Sequence, residues 1–217
     1  MARLKVAVLI SGRGSNLQAL IDACADADFP AEIVLVISDV PGVQGLSRAG
    51  KADIPAAVVD GKDFESRDRF DDALTGTLLE AAPELVCLAG FMRVLGDGFV
   101  GRWRGRLINI HPSLLPAFKG VHVHERVVEA GVRISGCTVH FVRPAVDDGP
   151  IIVQAAVPVH ADDDADALAA RVLSQEHRIY PLAVRLIAEG RVRVVDEHVL
   201  IDGTAMPEGA LVNPVDG

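Results

Sequence analysis

The chain has 217 residues and half of them are hydrophobic, so it can bury a full core within one domain of ordinary size. Asp and Glu number 30 against 21 Lys and Arg, and the net charge of −9 argues against a general nucleic-acid or membrane-surface binder. The three cysteines lie outside any Cys-x-x-Cys pair, which favours buried thiols in a reducing cytosol over disulfides. The apolar stretch near the amino end stops by Ser11 and is too short to span a membrane. We therefore expect a cytoplasmic protein that binds neither nucleic acid nor membrane.

The first half of the chain alternates short apolar runs with segments of helical periodicity. Apolar runs without polar alternation are typical of strands buried on both faces of a parallel sheet. They lie at Lys5–Ile10, Ala31–Ser38, Ala56–Val59, Leu85–Ala89 and Leu107–Ile110. The helical segments between them are Asn16–Ala25, Gln44–Ala52 and Ser66–Ala82. This order of strands and helices predicts an open, doubly wound sheet.

The second half of the chain has a different pattern. Ile134–Val142 and Ile151–Val159 predict two antiparallel strands that join the edge of the same sheet. A long helix is predicted at Ala165–Glu189, and a terminal hairpin within Val192–Ile201. We expect an α/β fold with one domain, residues 1–202, built on an open, doubly wound, mostly parallel Rossmann-like sheet with an antiparallel C-terminal extension. Residues 203–217 are expected to form an irregular tail.

A glycine-containing loop, Ser11–Asn16, follows the first predicted strand and opens the first predicted helix. Glycine lets the backbone turn sharply and approach a ligand closely, and the N–H groups at a helix start favour an anion such as phosphate. The loop is neither a dinucleotide fingerprint, because Leu17 replaces its third glycine, nor a P-loop. The alternative is a tight turn in which Ser15 or Asn16 only caps the helix.

The last apolar run of the first half ends in two polar side chains, Asn109 and His111, and Pro112 then stops further strand pairing. Residues two apart on a strand project to the same side. At the carboxyl end of a parallel strand, that side faces the crevice where open α/β sheets bind ligands. An amide beside an imidazole suits acyl transfer, because both can stabilise a developing oxyanion. The alternative is a structural histidine and a turn-forming asparagine.

A second polar loop, Val146–Pro150, carries two adjacent carboxylates, Asp147 and Asp148. A carboxylate beside His111 would favour the imidazolium form and orient the ring. The same composition also fits a solvated β-turn, and the spacing alone does not show that this loop and His111 meet.

A metal site and a serine nucleophile are the other kinds of site to consider. His122 and His124 are separated by one residue on a segment that we expect to be extended, and such a pair could bind zinc. His111 and Asp147 could complete the site. No cysteine pair or His-Glu-x-x-His helix accompanies them, so we expect no metal. Ser113 lacks the Gly-x-Ser-x-Gly elbow of serine nucleophiles.

Seven segments, in this order along the chain, resemble the glycinamide ribonucleotide formyltransferases of purine biosynthesis, which use 10-formyltetrahydrofolate. They are Val8–Gly12 with Gly14–Ala19, Leu88–Leu95, Gly105–Pro116, Gly120-x-His122-x-His124, Gly136–Val142, Asp147-x-Gly149-Pro150-Ile151-Ile152-x-Gln154 and Gln175-Glu176-His177-x-Ile179-Tyr180-Pro181. The resemblance extends from about residue 5 to residue 200. No single motif is decisive, but seven in the same order are very specific.

The resemblance implies roles for particular residues. The catalytic residues would be Asn109, His111 and Asp147. The ribonucleotide would be bound by Gly14, Ser15, Asn16, Leu173, Ser174, Gln175 and Glu176. The folate would be bound by Arg67, Met92, Arg93, Val94, Leu95, Asn109, His140, Arg143, Pro144, Ala145, Val146 and Asp147.

One position departs from the family pattern. The family often has Asp-Gly-Gly-Pro where this chain has Asp147-Asp148-Gly149-Pro150. A residue other than glycine at position 148 narrows the backbone shapes open to a loop that would contact the folate. We assign the catalytic role to Asp147, which keeps its register with Gly149 and Pro150.

The resemblance implies an enzyme that moves a formyl group from 10-formyltetrahydrofolate, a co-substrate, to the amine of 5-phosphoribosylglycinamide on the route to IMP. Transfer would be direct, through a tetrahedral intermediate, by a monomer or homodimer without metal. A formyltetrahydrofolate hydrolase would need a further N-terminal domain, for which a strand beginning by Lys5 leaves no room. A methionyl-tRNA formyltransferase would need a C-terminal nucleic-acid-binding domain. A non-catalytic domain that binds phosphoribosyl nucleotides is the remaining alternative.

Overall fold

The computed structural model describes residues 2–203, 205 and 208–214. The strands are β1 (Leu4–Ile10), β2 (Ala31–Ser38), β3 (Ala56–Val58), β4 (Leu85–Leu88), β5 (Leu107–His111), β6 (Ile134–Phe141), β7 (Ile151–Pro158), β8 (Val192–Val195) and β9 (His198–Ile201). The helices are α1 (Ser15–Ala25), α2 (Gln44–Lys51), α3 (Arg67–Ala81), α4 (Asp97–Arg102), α5 (Val123–Glu129) and α6 (Ala165–Ala188), with a 3-10 turn at Gly61–Asp63. No helix in this described part is long and apolar enough to cross a membrane.

Seven strands form one sheet in the order β3-β2-β1-β4-β5-β6-β7. The first five strands are parallel, whereas β6 and β7 pair antiparallel with their neighbours. The strand order reverses between β1 and β4, and ligands bind at the carboxyl ends of the strands at such a switch point. The predicted doubly wound sheet with an antiparallel extension is confirmed, and β8 and β9 form the predicted hairpin.

Apolar side chains pack on both faces of the sheet, which explains why the central strands lack polar alternation. On one face, Leu17 and Leu20 of α1 pack with Val172 of α6. On the other face, Phe70 of α3 packs with Trp103, which follows α4. Burial of such side chains contributes about 1.5–3 kcal/mol each. The sheet is therefore held from two sides, and its carboxyl edge remains open for a site.

The structure differs from the prediction in short elements. Helices α4 and α5 were not predicted, because six or seven residues are too few to display a helical period. The segment that holds His122 and His124 is not extended: His122 has φ 54° and starts α5, and His124 lies within the helix. Residues 204, 206, 207 and 215–217 of the predicted tail lie outside the described residues, and the domain boundary at residue 202 stays a prediction.

Candidate active site

A cavity of about 460 Å³ opens at the carboxyl ends of β4 and β5, beside the point where the strand order reverses. Its wall includes Asn109 and His111 of β5, and Asp147 of the loop between β6 and β7. Most of its exposed wall is apolar, with a few converging polar groups, as in sites for small organic ligands. The structure thus brings together the three residues that the sequence predicted as catalytic.

His111 and Asp147 form a pair whose side chains are almost completely buried. The imidazole Nδ1 lies 3.3 Å from Asp147 Oδ2, and the two side chains are only 7% and 9% exposed. The other ring nitrogen, Nε2, lies 3.0 Å from the carbonyl oxygen of Phe118. Both ring nitrogens therefore face oxygen acceptors, and only the doubly protonated ring can donate to both. This arrangement suits an imidazolium–carboxylate pair that water screens weakly.

Asp147 is itself held by the backbone. Its Oδ2 accepts a hydrogen bond from the N–H of Gly120 at 2.8 Å. Asp147 has φ 52°, in the left-handed region that Asp and Asn tolerate better than most residues. The left-handed residue of this pair is Asp147 and not Asp148, so the backbone at position 148 does not adopt a conformation that favours glycine. Asp148 is exposed and forms an ion pair with Lys119.

Asn109 is oriented by a buried histidine. Asn109 and His140 face each other across the antiparallel pair β5 and β6, and Asn109 Nδ2 lies 3.3 Å from His140 Nε2. His140 Nδ1 lies 3.0 Å from the carbonyl oxygen of Phe141, so the ring donates there and its Nε2 can accept from the amide. Burial, above all other causes, lowers the pKa of His140 and keeps the ring neutral. The direction of the amide is thus fixed, and its second N–H has no partner among the described residues.

Most of the residues predicted to bind folate lie around this cavity. The cavity wall includes Met92, Arg93, Val94, Leu95, Asn109, His140, Arg143, Pro144, Val146 and Asp147. Met92 is 74% exposed and Val94 is 60% exposed, so the rim presents apolar side chains to an incoming ligand. Arg67 and Ala145, although described, do not line the cavity. Arg67 begins α3, and its side chain lies beside Gly96.

The residues predicted to bind the ribonucleotide come together outside that cavity. Asn16 Nδ2 donates to Glu176 Oε2 at 2.8 Å, which joins the glycine loop to the segment Leu173–Glu176 of α6. Burial raises the pKa of Glu176, and the bond from Asn16 partly opposes this shift. Helix α1 starts after Gly14, which has φ 68°, and no side chain caps it. The tight turn is present, but neither Ser15 nor Asn16 caps the helix, and among the described residues its first N–H groups have no side-chain partner and remain open to an anion.

Three residues near these sites were not assigned a binding role from the sequence. His124, considered there only as a zinc ligand, lines the cavity, and burial lowers its pKa. Its buried Nδ1 has no hydrogen-bond partner among the described residues. Arg48 Nε donates to the carbonyl oxygen of Arg13 at 2.9 Å, and the N–H of Gly45 donates to that of Gly12 at 3.1 Å. No sequence pattern connects α2 with this loop.

No group of three or more His, Cys, Asp or Glu side chains that could hold a metal ion is present in the part of the chain that the structure describes. His122 lies 3.6 Å from Glu125, its neighbour one helical turn along α5. His111, His122, His124 and Asp147, the alternative zinc ligands, all line the cavity, but within the described residues they do not approach one another closely enough to form such a group.

Comparison with known proteins gives a consistent result. The profile of the formyl transferase family matches residues 4–184. The trifunctional purine biosynthetic protein adenosine-3 of Drosophila melanogaster is 55% identical over 197 residues, which are 90% of this chain and only 15% of that protein. Phosphoribosylglycinamide formyltransferase of Haemophilus influenzae is 44% identical over 209 residues, covering 96% of this chain and 99% of that protein. The crystal structure of glycinamide ribonucleotide transformylase 1 from Symbiobacterium toebii superposes with a TM-score of 0.90 at 46% identity, covering 92% of this chain and 94% of that one.

The matched region contains all of the site described above. It runs from the start of β1 into α6 and includes both the glycine loop and the three residues at the cavity wall. The family resemblance inferred from seven sequence segments is confirmed, and the chain belongs to the formyl transferase family.

Proposed function

We propose that this protein transfers the formyl group of 10-formyltetrahydrofolate to the amine of 5-phosphoribosylglycinamide, a step of de novo purine synthesis. The observation that carries the proposal is the His111–Asp147 pair beside an oriented Asn109 at the wall of the cavity. An amide donor next to a buried imidazolium suits the oxyanion that forms when an amine attacks a formyl carbon. The bacterial relatives that the chain matches over nearly their whole length are named for this substrate.

The two substrates would occupy neighbouring regions. The cavity has the size and apolar wall that suit the rings of a reduced folate. Arg93 and Arg143 at that wall are paired with Asp39 and Glu197, and they would bind the negatively charged end of the folate by exchanging these partners. The loop from Gly12 to Asn16 would bind the phosphate of the ribonucleotide through N–H groups at the start of α1. Glu176, bonded to Asn16, would accept hydrogen bonds from the ribose hydroxyls. Arg67 and Ala145 remain candidates for contact only with the outer parts of the folate.

The remaining residues assigned by resemblance complete the proposed contacts. Those proposed for the ribonucleotide are Gly14, Ser15, Asn16, Leu173, Ser174, Gln175 and Glu176. Those proposed for the folate are Met92, Arg93, Val94, Leu95, Asn109, His140, Arg143, Pro144, Val146 and Asp147. The first set meets through the Asn16–Glu176 bond, and the second surrounds the cavity, so both support the same placement.

The mechanism follows from the direction of each group. The uncharged amine of the ribonucleotide attacks the formyl carbon, and Asn109 donates its remaining N–H to the oxyanion. His111 acts through its positive charge, because both of its nitrogens already face protein oxygens. Each of these two groups contributes on the order of 3 kcal/mol to the lowering of the barrier. Asp147 keeps His111 charged and, through a water molecule, passes the proton from the attacking nitrogen to the leaving nitrogen.

One assay separates this function from its alternatives. The absorbance change on conversion of 10-formyltetrahydrofolate to tetrahydrofolate is followed with and without 5-phosphoribosylglycinamide. Turnover that requires the ribonucleotide supports formyl transfer. Turnover without it would identify a hydrolase, and ribonucleotide binding with no turnover would identify a non-catalytic binding domain. Formylation of methionyl-tRNA in place of the ribonucleotide would also contradict the proposal.

We further propose that the enzyme works in the cytoplasm, as a monomer or homodimer, without metal and without nucleic-acid or membrane partners. The proposed reaction needs only a charged donor, an amide and a carboxylate, and His111, Asn109 and Asp147 supply these groups. Activity that is unchanged after dialysis against EDTA is expected, and activity lost with EDTA and restored by zinc would contradict it. Light scattering after size-exclusion chromatography measures the oligomeric state.

A further inference from the structure

Two loops leave the sheet side by side at the switch point. Strands β1 and β4 are parallel neighbours with Leu9 opposite Leu88, so the residues that follow them emerge together. Ser11, the first residue after β1, donates its N–H to the carbonyl oxygen of Gly90 at 3.1 Å. The N–H of Met92 donates to the hydroxyl oxygen of Ser11 at 2.8 Å. Ser11 thus joins the two loops by two hydrogen bonds: its N–H donates in one, and its hydroxyl oxygen accepts in the other.

On one side of Ser11, the glycine loop is fixed against α2. A Cβ atom added to Gly14 would lie only 2.9 Å from the Cα of Gly45, so the two backbones are in direct contact. The Gly45 N–H and the Arg48 side chain each donate to a carbonyl oxygen of the loop. The glycine loop therefore has little freedom to move independently of α2.

On the other side of Ser11, the segment from Met92 to Leu95 is held at its ends. Phe91 and Leu95 are buried, and the N–H of Gly96 donates to Asp71 Oδ2 at 2.7 Å. Met92 is 74% exposed, so side-chain packing contributes little to its position. The bond from the Met92 backbone to Ser11 is what connects this exposed stretch with the fixed glycine loop.

We propose that Ser11 is a positioning residue that sets the distance between the bound amine and the bound formyl carbon. The inference rests on the proposed function, in which the glycine loop binds one substrate and the Met92 segment lines the site of the other. Misplacement of reacting groups by about 1 Å can cost about a hundredfold in rate. The bond from the Ser11 N–H to Gly90 remains in any side-chain variant, so loss of the hydroxyl should allow a smaller displacement, and we expect a fall of about tenfold in kcat.

The test compares Ser11→Ala, which lacks the acceptor, with Ser11→Thr, which keeps a hydroxyl. Asp26→Ala is the matched control, because Asp26 Oδ1 accepts the N–H of Asp28 at 2.9 Å in an exposed turn that precedes β2, at the opposite edge of the sheet. For each protein, kcat, the KM of both substrates and Tm are measured. The alanine variant should lose about tenfold in kcat with each KM within about twofold of wild type. The threonine variant should recover most of kcat, and the control should keep it.

The outcomes distinguish the inference from the function on which it rests. A wild-type protein without ribonucleotide-dependent turnover would reject both. An active wild type with normal kcat in Ser11→Ala would reject only the role of Ser11. Three other results would also overturn it, since each points to general destabilisation: a loss of kcat that Ser11→Thr does not recover, a loss that Asp26→Ala shares, or a loss accompanied by a fall of Tm to the assay temperature.

Discussion

Replacement of Asp147 by Asn tests whether catalysis needs the negative charge beside His111, because the two side chains have nearly the same shape. Asn tolerates the left-handed backbone that Asp147 adopts, and its side-chain oxygen can still accept from the N–H of Gly120. The change therefore removes the negative charge 3.3 Å from His111 and leaves the loop in place. We expect a folded protein with wild-type Tm to within a few degrees.

The size of the effect follows from the distance and the burial of the pair. Two unit charges 3.3 Å apart attract by about 5 kcal/mol at an effective dielectric constant of about 20. Most of this attraction is offset by the cost of removing both groups from water, and a charged hydrogen bond contributes about 1.5–3 kcal/mol net. A loss of that size corresponds to a fall in kcat of about 10- to 150-fold.

The assay is the folate absorbance change at saturating concentrations of both substrates, with Asp148→Asn as the matched control. Asp148 is exposed and pairs with Lys119, so its neutralisation should change kcat little. Near-normal kcat in Asp147→Asn would remove this carboxylate from the mechanism. A larger loss in Asp148→Asn than in Asp147→Asn would show that the neighbouring carboxylate has the role assigned to Asp147.

Three other predictions address the loop, the acid stability and the thiols. Gly149→Ala should displace the catalytic loop, because the added Cβ would lie 1.6 Å from the carbonyl oxygen of Phe141; we expect kcat to fall at least tenfold, as measured by the folate assay, and unchanged kcat would contradict the contact. The hydrogen bond from Arg171 lowers the pKa of Asp163 from 3.8 to about 2, so the stability that this carboxylate contributes is complete above about pH 4 and is lost as the pH falls through about 2. The difference in Tm between wild type and Asp163→Asn should therefore shrink over that range, and a difference that is constant with pH would contradict the pairing. Burial raises the pKa of all three thiols, so none should react rapidly with Ellman's reagent at pH 8 in the native protein, whereas all three should react in denaturant.

Much of the fold could be predicted from the sequence because the parallel strands are buried on both faces. Their apolar runs contain no competing helical or alternating pattern, and β1 and β2 end where the sequence predicted. The prediction was poorer where elements are short. Helix α4 has six residues, and its formation depends on the packing of Phe99 and Val100 against the sheet. No local sequence pattern indicates this packing.

In the candidate site, too, some residues could be located from the sequence and others could not. Asn109 and His111 could be located from the sequence, since their spacing on a strand determines that they share a side. The approach of Asp147 to His111 could not, because it depends on the path of the loop between β6 and β7. That path requires a glycine at position 149, where a Cβ would overlap a backbone oxygen, and a left-handed residue at 147. Here the family resemblance supplied an assignment that spacing alone left open.

Two contacts that matter for the proposed chemistry had no sequence signal. The carbonyl of Phe118 occupies one nitrogen of His111, which limits this side chain to an effect through charge. The bond between Asn109 and His140 depends on the register of β5 and β6, and register depends on the chain that connects the strands. Side chains that contact each other across strands can be paired from sequence only when that connection is known.

Strand β5 has a parallel partner, β4, on one side and an antiparallel partner, β6, on the other. The candidate site is therefore built from two parts of the chain: Asn109 and His111 lie on β5, whereas His140 lies on β6 and Asp147 in the loop that follows it. A shift of one residue in the register between β5 and β6 would place an apolar residue opposite Asn109 in place of His140. The pairing of strands β1 to β5 would stay unchanged. Exchange of the β6–β7 unit between homologous enzymes would therefore replace His140 and Asp147 together with two strands of the sheet. In such chimeras, catalytic activity should be measured before stability.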